Sequence, residues 1–475
     1  MAHHLANGLP AHLLMWQRVR VYAVPPSMIE NATARRAVGD WAGACAAARI
    51  DVDLDLRAVR DRHGTDLAHR LRADLRRLAP DLLRWHMPRI APDGRLRPGL
   101  TLSLARYRTA GTTTPQLVVR TPPAWADAGQ RMSLTLWDGS GGDGAGHHPH
   151  PRPDRRFRLD LHRHLWDAGR SGELARRCGA RPPAGAPVHD LPNGPWAVGR
   201  WAPEAEYLLR AEGCPRGAFA VRLGPRSRAV LQLVAPDDSH APVVRPLYGA
   251  LPPQEIAALP VLPEAAARTL PDLELLEAGL VTAGQLHPLV ASALAGPDSP
   301  ALPTGSGTET GLGREAADPH RVECRGEIHR IALRDGVLTA VDHDAEQVRR
   351  EELLVALGGP PLPCLRAIDA VHRSPEALPA VRERLAHGDA TGALAVVEAL
   401  LGPGAVLRDG PLRDVLETAA VRRIDHGLFR SGLVAVHPAA GVVHPGRRPR
   451  LDRRMPLAMR RKRGSRARPR TGLTF

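Results

Sequence analysis

Residues 327–341 read EIHRIALRDGVLTAV. Two alternating apolar runs, Glu327 to Leu333 and Val337 to Val341, flank Asp335-Gly336, a dipeptide suited to the positive φ angles of a tight hairpin turn. Asp344 stands where an N-cap is needed for a helix through Leu357, and Gly358 stands where that helix must stop. Ser374-Pro375 opens a further helix with Leu378, Val381 and Leu385 inward. Gly388-Asp389 separates it from a helix over Ala390 to Leu401. A strand hairpin followed by helical hairpins is an α+β order, and the same grammar recurs upstream.

Ser27 and Glu30 have the spacing of a capping box, which would open a helix to about Val38 after a strand-like run from Val19 to Val24. Gly39 ends that helix and Asp40 caps the next, Ala42 to Arg49. Ile50 to Leu56 alternates apolar residues with Asp51, Asp53 and Asp55. Thr65 then caps a helix whose face carries Leu67, Leu71, Leu75 and Leu78. From Leu100 to Trp137 the period becomes strand-like in three runs: Leu100 to Ala105, Gln116 to Val119 and Met132 to Trp137. Phe157 to Leu161 also has strand character. Pro203 to Ala211 reads as a helix, Ala218 to Leu223 and Ala229 to Val234 as a hairpin, and Leu262 to Leu294 as broken helices.

The expected fold is therefore α+β, with small mixed or antiparallel sheets, helical hairpins and two to three domains. Residues 1–138 form a helical plus small-sheet domain, and 139–154 a linker or loop of Gly, His and Pro. A middle α+β domain spans 155–295, a second linker 296–319, and a hairpin-plus-helices domain 320–436. Residues 437–475 form a disordered, Arg-rich tail. Between Arg447 and Arg470 lie twelve basic residues and one acid, Asp452, so this segment supplies most of the net charge of +15.

Composition narrows function. The chain has 475 residues, 43% hydrophobic and 24% charged, with only 3% aromatic, and its single lysine, Lys462, lies in the tail. Phosphate-binding P-loops and Schiff-base chemistry both need a lysine in the folded part and are excluded. No nucleophile elbow, paired-histidine zinc helix or glycine-rich dinucleotide turn occurs. The five cysteines are scattered without a C-x-x-C pair, so they are expected to be reduced and mostly buried. No run approaches ~18 consecutive apolar residues, and the N-terminus lacks a basic segment and cleavage site. The expected compartment is cytoplasmic, with no membrane and no cofactor, and Met15 is an alternative start.

Three constellations remain. Asp160, His162 and His164 could hold a divalent metal for hydrolysis, since H-x-H on a strand aims both imidazoles to one face, as in zinc enzymes resembling the amidohydrolase superfamily. That likeness lacks the later His ligands and the barrel order. Asp51, Asp53 and Asp55 on one strand face could bind magnesium, although alternation alone explains them. Arg460, Arg461, Lys462 and Arg463 centre a tail capable of weak, sequence-blind nucleic-acid binding by counterion release. The small residues around Trp41 resemble half of a tetratricopeptide-type hairpin. The stretch Val19 to Pro88, with Val-Tyr22-Ala-Val-Pro-Pro-Ser27-Met-Ile-Glu30, Gly39-Asp40-Trp41 and Leu82-Leu83-Arg84-Trp85-His86, resembles a family of high-GC Gram-positive bacteria that lends no activity. The leading expectation is a non-enzymatic accessory or interaction protein with a protein partner. A metal-dependent hydrolase and a nucleic-acid-associated protein are the alternatives.

Overall fold

The computed structural model describes residues 9–434, apart from 110–113, 124–127, 140–147, 149, 151, 180–190, 193, 215, 225–226, 235–240, 248–250, 296–320, 335–336, 374, 376 and 403–405. The chain divides into two compact units. The first runs to residue 304, apart from residues 128–130, and the second covers residues 305–438. The architecture is α+β throughout, and among the described residues no helix is long and apolar enough to cross a membrane.

The first unit opens with α1 (Ala11–Tyr22), α2 (Pro26–Ala37) and α3 (Trp41–Ala47). The strand expected at Val19 to Val24 is instead the end of α1. Its hydrophobic signal belongs to a helical face, where Leu13, Met15 and Val19 are buried together with Arg20. The capping box at Ser27 does not form either. Pro26 occupies the first helical position and places Ser27 inside the first turn, without a side-chain cap bond. Asp40 does cap α3, accepting a hydrogen bond from Gly43 N at 2.8 Å. An ideal Cβ on Gly43 would sit 2.1 Å from that carboxylate, so this cap requires glycine.

Strand β1 (Ile50–Asp53) leads to α4 (Leu56–His63), α5 (Thr65–Arg77) and α6 (Pro80–Trp85). Leu67, Leu71, Leu75 and Leu78 are all buried, as their spacing predicts. A short hairpin, β2 (Arg89–Ile90) and β3 (Arg95–Leu96), precedes β4 (Thr101–Arg106), β5 (Gln116–Arg120) and β6 (Met132–Trp137). The sheet order is β1-β6-β5-β4, with β1 parallel to β6 and the other pairs antiparallel. Phe157 to Leu161 is a series of turns, held to this sheet by a single bridge between Ser103 and Arg158. One apolar core joins Leu13 to Leu134 and continues through Phe157, Trp166 and Leu275 to Leu294. Segments assigned by sequence to two domains thus share a core.

A smaller core forms where α7 (Trp201–Ala211) packs on the antiparallel sheet β7 (Gly217–Arg222), β8 (Arg228–Val234) and β9 (Val243–Pro246). Helices α8 (Pro253–Ala258), α9 (Glu264–Ala267), α10 (Pro271–Glu277) and α11 (Pro288–Leu294) complete the unit.

The second unit carries β10 (Arg321–Cys324), β11 (Glu327–Arg334) and β12 (Val337–Ala340) as an antiparallel sheet. Arg325 and Gly326 both have positive φ, 58° and 85°, as a two-residue hairpin loop of the primed type requires. The β11–β12 pair matches the sequence reading, with its Asp335-Gly336 turn outside the described residues. Asp344 is the N-cap residue of α12 (Ala345–Ala356) but makes no side-chain cap bond. Helices α13 (Pro363–Arg373), α14 (Leu378–Ala386), α15 (Ala390–Leu401) and α16 (Pro411–Arg430) follow. Asp389 caps α15 through Gly392 N, and Ile368, Val381, Ala393 and Leu412 fill a separate core.

Candidate functional site

A cavity of about 810 Å³ lies in the first unit, within the size range of small-molecule sites. Helix α1 contributes Met15, Trp16 and Arg20, the segment after α6 contributes His86 and Arg89, and the chain before α10 contributes Arg268. The chain folds this way because an amphipathic helix, a proline-initiated turn and a short hairpin each bury an apolar side and carry one long polar residue inward with it.

Arg20 is almost wholly buried. Its guanidinium bonds Asp272 Oδ2 and the Trp85 carbonyl, both at 2.8 Å, and lies 4.2 Å from the centre of the Trp85 ring. The Trp85 indole N–H also donates to Asp272, at 3.1 Å. Burial lowers the Arg20 pKa, against the opposing pull of Asp272. His86 Nδ1 faces only carbonyls, Leu82 O at 3.1 Å and Leu165 O at 3.2 Å, so that nitrogen carries the proton. Burial pushes the His86 ring down to about 4, and its Nε2 is a lone pair without a donor. His287 donates from Nε2 to buried Asp81 at 3.1 Å and meets Trp85 edge-on, extending the polar chain behind the cavity wall.

Arg89 is the unusual member. It is 9% exposed, and its guanidinium bonds only carbonyls, Arg84 O at 2.7 Å and Gly94 O at 3.4 Å, while Nε has no partner. Burial, and then the charge of Arg20, pull it down to about 9. The other lining arginines are paired: Arg156 with Asp154, Arg158 with Asp160 and Glu212, and Arg268 with Glu264 at 3.7 Å. Trp16, Trp196 and Phe157 supply aromatic surface, with Arg268 lying 4.5 Å over Trp196. Among the described residues, the cavity thus joins an apolar body to one buried cation without a counter-ion.

The residues singled out by sequence lie elsewhere. Both ring nitrogens of His162 face acceptors, Arg158 O at 3.0 Å and Glu204 Oε2 at 3.0 Å, so neither is offered to a metal. His164 Nε2 meets Cys178 Sγ at 3.6 Å, and Asp160 spends both oxygens on Arg158. Neighbouring rings 5.8 Å apart do bring His162 and His164 together, but as part of a buried network. Burial raises the Cys178 thiol and depresses the His164 ring, the opposite of what a thiolate–imidazolium pair needs. Glu204, in the same network, would be raised by burial, but His162 and Arg177 outweigh this and hold it at about 2.

The three aspartates of 51–55 do not form a set. Asp51 pairs with Arg131, and Asp55 leaves the strand to cap α4, accepting from Arg57 N at 2.8 Å. Arg460, Arg461, Lys462 and Arg463 lie outside the described residues. Among the described residues, one group of three ligand-capable side chains does converge, in the second unit: Cys324, His343 and Cys364. The chain matches no protein-family model, and no curated protein or solved structure is detectably similar to it. Neither the cavity arginines nor the cysteine–histidine group has a short-range sequence signature, because each is assembled from distant segments.

Proposed function

We propose that the protein is a non-enzymatic accessory protein whose first unit holds a small organic anion with an apolar or aromatic body. Buried Arg89, on the wall of an 810 Å³ cavity and without a carboxylate partner among the described residues, carries this reading. A buried cation is normally paired, since leaving it unpaired costs several kcal/mol. An anionic ligand supplies the missing charge, and Trp16, Trp196 and Phe157 supply the surface for its body. The non-enzymatic reading comes from the sequence, in which no catalytic motif was found. Nearby, Cys178 and His164 are both driven towards their neutral forms, so this pair offers no activated thiolate.

Thermal shift against a panel of aromatic and aliphatic carboxylates and phosphate monoesters tests the reading, with Arg89→Met beside the wild type. Binding to the native state raises Tm by mass action. Members of the panel are expected to raise the wild-type Tm at low salt and to leave the variant unmoved. Equal shifts in both proteins, or a wild type that no member of the panel shifts, would refute it.

A further inference from the structure

The converging group in the second unit is built from three separate elements. Cys324 is the last residue of β10, His343 lies in the turn after β12, and Cys364 stands in the first turn of α13. One ligand atom from each, Sγ, a ring nitrogen and Sγ, lies within 4.8 Å of the others. His343 Nε2 and Cys364 Sγ are 3.3 Å apart. Tetrahedral zinc, with bonds of about 2.3 Å to sulfur and about 2.0 Å to nitrogen, places its ligands about 3.5–3.8 Å apart. Contraction by about 1 Å, within reach of side-chain rotation, would complete that geometry.

Two small apolar thiols could fill a core by themselves, and both cysteines do belong to the core of this unit. Two further observations distinguish the group from packing alone. The imidazole of His343 points a nitrogen at a buried thiol instead of at water. His329, on β11, stacks on His343 at 4.1 Å with ring planes 13° apart, which fixes the plane of the ligand ring. The turn that carries His343 is itself held, since Asp342 accepts from Arg330 N at 2.7 Å and Val341 N donates to Arg330 O at 3.0 Å.

We infer that Cys324, His343 and Cys364 form a zinc site that ties the β-sheet of the second unit to α13. Two thiolates and an imidazole are the ligand class that selects zinc over magnesium or calcium. Each cysteine gives up its thiol proton to solvent on binding, and the ion keeps its +2 state. The half-exposed His343 side leaves the fourth position to water.

Metal content of the full-length protein, purified untagged under reducing conditions, is the first measurement. About one zinc ion per chain is expected, lost in Cys324→Ser and in Cys364→Ser and retained in Cys214→Ser, which changes an exposed thiol. Cobalt titration of chelator-treated wild type guards against variants that misfold. Near-ultraviolet thiolate-to-cobalt charge transfer and visible bands of tetrahedral cobalt are expected, saturating at one equivalent. A chelator-treated wild type that takes up neither zinc nor cobalt overturns the site. So does a Cys324–Cys364 disulfide found by peptide mapping of protein purified without reductant, together with no metal after reduction.

Discussion

Replacing Arg89 by methionine should make the ligand-free protein more stable. The guanidinium is buried against carbonyls alone and is pulled from its usual value down to about 9. At about 1.36 kcal/mol per pH unit, that depression corresponds to roughly 5 kcal/mol of destabilisation at neutral pH. Methionine is of similar length and removes the charge, but it abandons the bonds to Arg84 O and Gly94 O. Those losses cost about 1 kcal/mol each, so the net gain is about 2–3 kcal/mol. Because the folded value lies below the unfolded one, the penalty is present in full below pH 9. It is relieved as pH rises through and above about 9. Urea denaturation of wild type and Arg89→Met at pH 7 should show a higher midpoint for the variant, with a gap that narrows at pH 10. A variant less stable than wild type at pH 7 would mean that the carbonyl bonds outweigh the charge, and would refute the reasoning.

Glu204→Gln should destabilise the first unit by roughly 3 kcal/mol at pH 7 by leaving His162 and Arg177 without their carboxylate. Since Glu204 is held at about 2, its contribution is present above about pH 4.5 and disappears as pH falls towards 2. Urea midpoints at pH 7 and pH 2.5 should therefore differ between wild type and variant only at the higher pH. Asp272→Asn removes the carboxylate bonded to buried Arg20 and should cost about 3 kcal/mol. Tryptophan fluorescence would follow the loss because Trp85 shares that carboxylate. Gly43→Ala drives a Cβ against the Asp40 cap and should cost about 1–2 kcal/mol. Hydrogen exchange in α3 should rise more than in α5.

Much of the local structure was legible. Asp40 caps where the sequence places it, Gly388-Asp389 separates two helices as expected, the Leu67–Leu78 face is buried, and the pairs β4–β5–β6, β7–β8 and β11–β12 fall close to their expected runs. These features depend on neighbours a few residues apart, so the turn chemistry and hydrophobic period that specify them are written in one short window. Ser27 and Val19 to Val24 misled for a related reason, since Pro26 and a buried Arg20 alter a local pattern that otherwise reads plainly.

The sites follow a different rule. His162, His164 and Asp160 are close in sequence, yet Glu204, Cys178 and Arg158 take up most of the polar atoms that a metal would use, His164 Nδ1 excepted. Cys324, His343 and Cys364 look scattered, yet β10, the turn after β12 and α13 bring one polar atom of each within 4.8 Å of the others. Whether Arg89 meets a carboxylate likewise depends on which segments close around it. The sequence by itself determined the α+β class and most helix stops, strands and turns, because those energies are local. Tertiary structure alone decided which polar side chains are paired and which are left buried and open, because that depends on contacts between residues tens or hundreds of positions apart.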